Sequence, residues 1–147
     1  MDRTFKGLTA GIIGAIPMNI VNFVFYGLNL IQIRFIDWSG IILTGERPND
    51  LNSIIHSLIF QMFWSGILGI GLAFLIPAIS SRGYFLKAVL YSFFVNFALR
   101  GIVVLFRVPL LYKVSTVTSE LNSIPTVIWA LTAGYMLYFL DKREQHH

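Results

Sequence analysis

The stretch AVLYSFFVNFALRGIVVLF, residues 88–106, carries a single charged side chain, Arg100, in an otherwise apolar and small-polar run. As a helix the stretch would rise about 28 Å, close to the ~30 Å of a bilayer's hydrocarbon core. An arginine inside such a core costs at least ~2.5 kcal/mol on insertion scales, so a neighbour or a ligand has to satisfy it. The rest of the chain fits the same setting. Gly7 to Ile33, Leu51 to Ser81 and Leu121 to Leu140 contain no Asp, Glu, Lys or Arg.

Composition narrows the function classes. The chain has 147 residues, 56% of them hydrophobic and 12% charged, against about 25% charged in a typical soluble domain. Four membrane-length stretches consume nearly the whole chain and leave no room for a soluble catalytic domain. The absence of cysteine removes disulfides, thiolate metal sites, iron–sulfur clusters and cysteine nucleophiles. The net charge of +4 comes from basic residues scattered in twos beside apolar runs, which suits the positive-inside rule and not nucleic acid. The basic start, Met1 to Lys6, precedes an apolar run too long for a signal peptide and without a small-residue cleavage site, so a retained first helix is expected. There is no glycine-rich phosphate loop, no metal-spaced histidine pair and no Ser, His and Asp set that could meet. His56 alone lies near the bundle as a haem ligand would have to, and the terminal His146-His147 pair is poor ground for a metal site. No cofactor and no metal are therefore expected.

The pattern predicts an all-α integral membrane four-helix bundle, a single domain over residues 1–147. Its spans are expected at about 7–31, 51–79, 84–107 and 124–140. Asp50 or Asn49 is placed to cap the second span, and Ser123 the fourth, with Pro125 in its first turn. Gly83 after Ser80-Ser81-Arg82 predicts a tight turn and an antiparallel hairpin of spans two and three. Pro17 falls mid-span and predicts a kink. Arg3, Lys6, Arg82, Lys87, Lys142 and Arg143 fall on one side, and Arg34, Arg47, Arg107 and Lys113 on the other. That bias predicts a multi-pass protein of the cell membrane with both termini cytoplasmic.

Between spans one and two, Phe35, Ile36, Trp38, Ile42 and Leu43 gather on one side of a helical wheel, and Arg34, Asp37, Gly40 and Thr44 on the other. This predicts a short interfacial helix ended by Gly45 and Pro48. An irregular loop packed on the bundle is the alternative. The second outer connection, Val108 to Leu121, shows no comparable pattern.

Polar residues recur at helical spacing inside the spans. Span one carries Gly11, Ala15, Asn19, Asn22, Tyr26 and Asn29, and Gly7-x-x-x-Gly11-x-x-x-Ala15 lets a neighbouring helix approach closely. Span two carries Ser57, Gln61, Ser65 and Gly69 at steps of four. Asn96, Arg100 and Arg107 fall within about 40° of one another on span three. Arg100 lies about 10 Å inside Arg107, in the outer leaflet. Two readings of this constellation stand. In one, the amides bond between helices and Arg100 pairs with Asp37, Glu46 or Glu120. In the other, Arg100 anchors a carboxylate, phosphate or lipid headgroup, with Asn96, Asn22, Asn29 and Gln61 around it.

Phe35-Ile36-Asp37-Trp38-Ser39-Gly40 with Gly45, Ile76-Pro77, Ser81-Arg82-Gly83-Tyr84 and Val108-Pro109-Leu110-Leu111 resemble small four-span membrane proteins of Gram-positive bacteria. That resemblance implies a bacterial cytoplasmic membrane and carries no assigned activity. The expectation is a non-enzymatic integral membrane protein, an accessory or scaffold subunit or a homo-oligomer, whose partners are the lipid bilayer and another copy or a partner membrane subunit. Its rival is a binding protein for a small anion or lipid headgroup, or a minimal transporter, centred on Arg100.

Overall fold

The computed structural model describes residues 1–79 and 82–144. Ser80 and Ser81 of the expected turn and the terminal His146-His147 pair lie outside the described residues. The described residues fold into five helices: α1 (Arg3–Gly27), α2 (Phe35–Thr44), α3 (Leu51–Ile79), α4 (Tyr84–Leu105) and α5 (Thr116–Glu144). All but α2 are long and apolar enough to cross a membrane. The short helix stands, as expected, between the first two long ones.

Helix ends follow local chemistry; α1 begins at Arg3 and α5 runs to Glu144, each beyond the expected span, and three further ends depart from the expected bounds. Asp2 accepts the Thr4 amide at 3.2 Å and starts α1. Expected to reach residue 31, α1 stops at Gly27, because Asn29 turns left-handed at φ 57° and its amide bonds back to the Tyr26 carbonyl. Asparagine tolerates that conformation better than most residues. Pro17 interrupts nothing, and α1 runs through it as one helix. Asp50 caps α3, accepting the Ser53 amide and hydroxyl, which hold its carboxyl below the usual carboxylate range. Expected to reach 107, α4 ends at Leu105, followed by left-handed Arg107 and Leu110. Expected to start at 124, α5 starts at Thr116, where the Ser115 hydroxyl takes the Thr118 amide at 3.2 Å. Ser123 is thus inside the helix and caps nothing, and Pro125 is buried deep within it.

Small residues decide which helices touch. A Cβ on Gly11 would lie 2.1 Å from the Ser65 carbonyl oxygen, and one on Gly69 2.2 Å from that of Gly7. The Gly7/Gly11 device therefore packs α1 onto α3, as its spacing predicts. Across the α1–α5 seam Ala15, Ala130 and Ala133 are fully buried, and the Trp129 indole donates to the Gly11 carbonyl at 3.0 Å. A Cβ on Gly134 would lie 3.0 Å from Ala88 Cβ, where α5 meets α4. Between α3 and α4 the contact is sparse. They approach at Gly71, where the Tyr91 hydroxyl reaches the Leu68 carbonyl at 2.9 Å. Beyond that point Trp64 and Phe93 are exposed and line a gap between the two helices. The expected antiparallel hairpin is therefore splayed, and this leaves a cleft.

The two ends of the bundle differ. At one end the Met1 amine pairs with Glu144, and Lys6 bonds Asp141 at 2.8 Å and Glu144 at 2.7 Å, so both termini lie together. The Tyr84 hydroxyl joins this cluster through Asp141 at 2.8 Å. At the opposite, loop end a second small core of Ile33, Ile41, Val103 and Leu111 packs α2 and the 106–115 turn over the bundle. The two sides of the α2 wheel are not cleanly divided there. Ile36, Asp37, Ser39, Gly40 and Ile41 are buried, whereas Ile42 is 66% exposed and Thr44 is exposed. Asp37 and Ser39 turn inward because their partners are in the protein, and Ile42 and Leu43 are left for the surroundings.

Candidate ligand cavity

The cleft between α3 and α4 is a cavity of about 630 Å³, within the ~300–1,000 Å³ of small-molecule sites. Met18 of α1 and Trp129 of α5 form its back, and Phe35, Trp38 and Ile42 of α2 roof it at the loop end. Phe60 and Trp64 of α3 and Phe93 and Phe97 of α4 form an exposed aromatic rim. Most of the lining is apolar. Its polar groups include Ser92, Asn96 and Arg100, which recur every four residues and so share one side of α4, with Gln61 and Ser65 of α3, Ser119, Asn122 and Thr126 of α5, and Ser39 of α2.

Arg100 is held by main-chain oxygens. Its guanidinium donates to the Leu111 carbonyl through Nη1 and to the Tyr112 carbonyl through Nη2, the latter at 3.1 Å. Among the described residues no carboxylate lies within ion-pairing distance of it. The expected acidic partners are thereby corrected. Asp37 is 1% exposed and already engaged, accepting the Arg34 amide at 2.8 Å and pairing with the Arg34 guanidinium at 2.8 Å. Glu46 and Glu120 are exposed and form no ion pair among the described residues. The left-handed turns at Arg107 and Leu110 fold the loop back over α4 and supply the carbonyls instead. Carbonyl dipoles solvate a cation without cancelling its charge, and two of the five guanidinium N–H groups are used. Arg100 therefore brings an uncompensated positive charge to the cavity wall.

The other expected site residues divide. Gln61 lines the cavity and is 7% exposed, accepting Asn19 Nδ2 at 2.7 Å and donating to the Ser65 hydroxyl at 3.4 Å. Asn19 Oδ1 is buried beside it without a partner. Asn96 also lines the cavity, half-buried. Asn22 does not. It is 1% exposed and engaged through both its oxygen and its nitrogen, accepting the Phe35 amide at 2.8 Å and donating to Asn122 Oδ1 at 3.0 Å, so it joins α1, α2 and α5. Asn29 lies past the end of α1, exposed, and contributes to the helix stop. Arg107, expected on the Asn96 face, is beyond α4 and exposed.

Sequence reasoning missed Ser92, Asn122 and Trp129. Ser92 was legible as the next step of four below Asn96 and Arg100. Asn122 was hidden by the misplaced start of α5. Trp129 reads as an interface anchor from composition alone, because nothing local signals that its indole N–H reaches a carbonyl on α1.

No protein-family model, curated protein or solved structure matches this chain.

Proposed function

We propose that this chain is a non-enzymatic integral membrane protein that binds an anionic ligand, a small anion or a lipid headgroup, with Arg100 as the anchor and Asn96 and Gln61 as neighbouring hydrogen-bonding groups. The setting is the cytoplasmic membrane of a bacterium, with both termini inside. The observation that carries the reading is the Arg100 guanidinium, without a carboxylate partner among the described residues, in the wall of a cavity of about 630 Å³ that is otherwise largely apolar. In such surroundings a charge-assisted, two-pronged bond to a carboxylate or phosphate is among the stronger available contacts. A second reading, as a scaffold or a homo-oligomer, draws support from α4, where Phe94, Phe97 and Leu105 are 69%, 81% and 81% exposed and lipid or another helix must cover them.

Thermal unfolding in mild detergent, wild type beside Arg100→Gln and Arg100→Lys across soluble anions and anionic lipids, tests the first reading. A ligand that binds only the folded state raises the midpoint in a concentration-dependent way. The expected result is a response in wild type, part of it in Arg100→Lys, and none in Arg100→Gln. A wild type indifferent to every anion would remove the binding reading and leave the scaffold.

A further inference from the structure

We infer that the ligand is an anionic phospholipid taken up sideways from the bilayer, its phosphate at Arg100 and one acyl chain in the cleft against Trp129. The inference rests on the Arg100 reading and adds the ligand's class and its route. A small soluble anion would use the guanidinium and leave the apolar remainder of a 630 Å³ space unfilled. The route follows from the walls. Toward the loop end the cavity is closed by Phe35, Trp38 and Ile42 of α2 and by Val114 of the 106–115 turn, which Arg100 fastens through the Leu111 and Tyr112 carbonyls. Toward the side, α3 and α4 are spread apart and the rim is exposed: Phe60 41%, Trp64 42%, Phe93 44% and Phe97 81%. In a bilayer those side chains face acyl chains.

The interior is graded to match such a molecule. From Arg100 down to Ser92 the α4 wall runs about 12 Å along the helix, enough for a substantial part of one acyl chain. Polar groups with hydrogen-bonding capacity for a headgroup, Arg100, Asn96 and Asn122, stand toward the loop end. The deep serines are already occupied, Ser92 donating to the Val89 carbonyl at 2.8 Å and Ser65 accepting from Gln61. A chain lying past them meets Leu68, Met18 and the Trp129 ring. A zwitterionic phospholipid brings its own cation to its phosphate, so an uncompensated arginine selects the anionic headgroup.

The three tryptophans of the chain, Trp38, Trp64 and Trp129, all line this cavity, and Trp129 is only 5% exposed. A Trp38→Phe, Trp64→Phe variant leaves Trp129 as the sole indole. It is reconstituted into phosphatidylcholine vesicles holding a small fraction of chain-brominated phosphatidylglycerol, or the same fraction of brominated phosphatidylcholine beside unlabelled phosphatidylglycerol. Trp129 should be quenched several-fold more by the brominated anionic lipid, and Arg100→Gln should abolish the difference while Arg100→Lys keeps part of it. In the unmodified chain, unlabelled phosphatidylglycerol should compete away the part of the quenching that arises in the cleft, leaving the part that bulk lipid exerts on the exposed Trp64. That measurement stands even where a variant fails to fold. Absence of quenching by either lipid overturns lipid uptake, and a soluble-anion response in the unfolding experiment would then leave the Arg100 site standing. Equal quenching by both lipids, unchanged in Arg100→Gln, shows a chain in the cleft and overturns headgroup selection together with the Arg100 reading.

Discussion

Gly11 and Gly69 meet across the α1–α3 seam so closely that a methyl group on either would stand 2.1–2.2 Å from a carbonyl oxygen of the other helix. The obstacle is backbone on both sides, and no side-chain rotation relieves it. Gly11→Ala and Gly69→Ala should each cost about 1–3 kcal/mol or more as the helices are forced apart. Gly101 on α4 has nothing within 4 Å of its would-be Cβ, so Gly101→Ala should be neutral or raise stability by roughly 0.5–1 kcal/mol. Thermal midpoints of the three variants in one detergent check this, and equal midpoints would show that the seam gives way easily. At this scale the Gly7/Gly11 spacing was legible because close helix approach is written in residue size. Arg100 was equally legible as an anomaly. Its partners were not, since a main-chain carbonyl offers the same acceptor at every residue and only the path of the loop decides which ones arrive.

The short α2 shows what a helical wheel leaves out. Its polar and apolar sides were told apart without either being assigned to the bundle; Asp37, Ser39 and Gly40 are buried together with Ile36 and Ile41, and Ser57 and Pro48 pack against Gly40. A wheel separates polar from apolar without saying which side holds the hydrogen-bond partners, and beside lipid the polar side belongs to the protein. Asp37 shows the energetics. It is 1% exposed, pairs with Arg34 and takes the Arg34 amide, closing the first turn of the helix. Asp37→Ala leaves Arg34 without its counter-charge, which in buried pairs costs about 3–5 kcal/mol. Asp37→Asn, which keeps an acceptor for the amide, should lose less. Since Asn22 ties the start of α2 to α1 and α5, both variants should loosen the roof of the cavity and raise hydrogen exchange first in α2. Wild-type exchange there in Asp37→Ala would mean the pair is dispensable. The start of α5 was illegible for a related reason: Thr116 to Ser123 is rich in hydroxyl side chains with weak helix preference, and packing of Thr118, 1% exposed, with its bond to the Gln32 amide holds that turn in place.

Across the whole molecule the charges sort by end. With the termini go Arg3, Lys6, Arg82, Lys87, Lys142 and Arg143 against Asp2, Asp141 and Glu144; with the loops go Arg34, Arg47, Arg107 and Lys113 against Asp37, Glu46, Asp50 and Glu120. The loop end is balanced, the terminal end carries three positive charges, and the last unit of the net +4 is Arg100 inside the apolar body. Orientation follows Lys and Arg numbers more than net charge, and here both favour the terminal end on the cytoplasmic side. The amine of Met1 on Glu144 and the Lys6 pairs fix α1 and α5 to that same end, so the termini must share a side whichever side it is. The chain has no cysteine, which makes single-cysteine variants clean reporters at four exposed positions: Thr4→Cys and Lys142→Cys near the termini, Glu46→Cys and Lys113→Cys among the loops. With a membrane-impermeant maleimide on intact cells the two loop positions should label, and the two terminal ones only after permeabilisation. The inverse pattern would reverse the orientation, placing Arg100 in the leaflet nearer the cytoplasm while leaving its cavity intact. Labelling of Thr4→Cys and Lys142→Cys from opposite sides would contradict the ion pairs between Lys6, Asp141 and Glu144, and with them the four-span arrangement that opens the α3–α4 cleft to lipid.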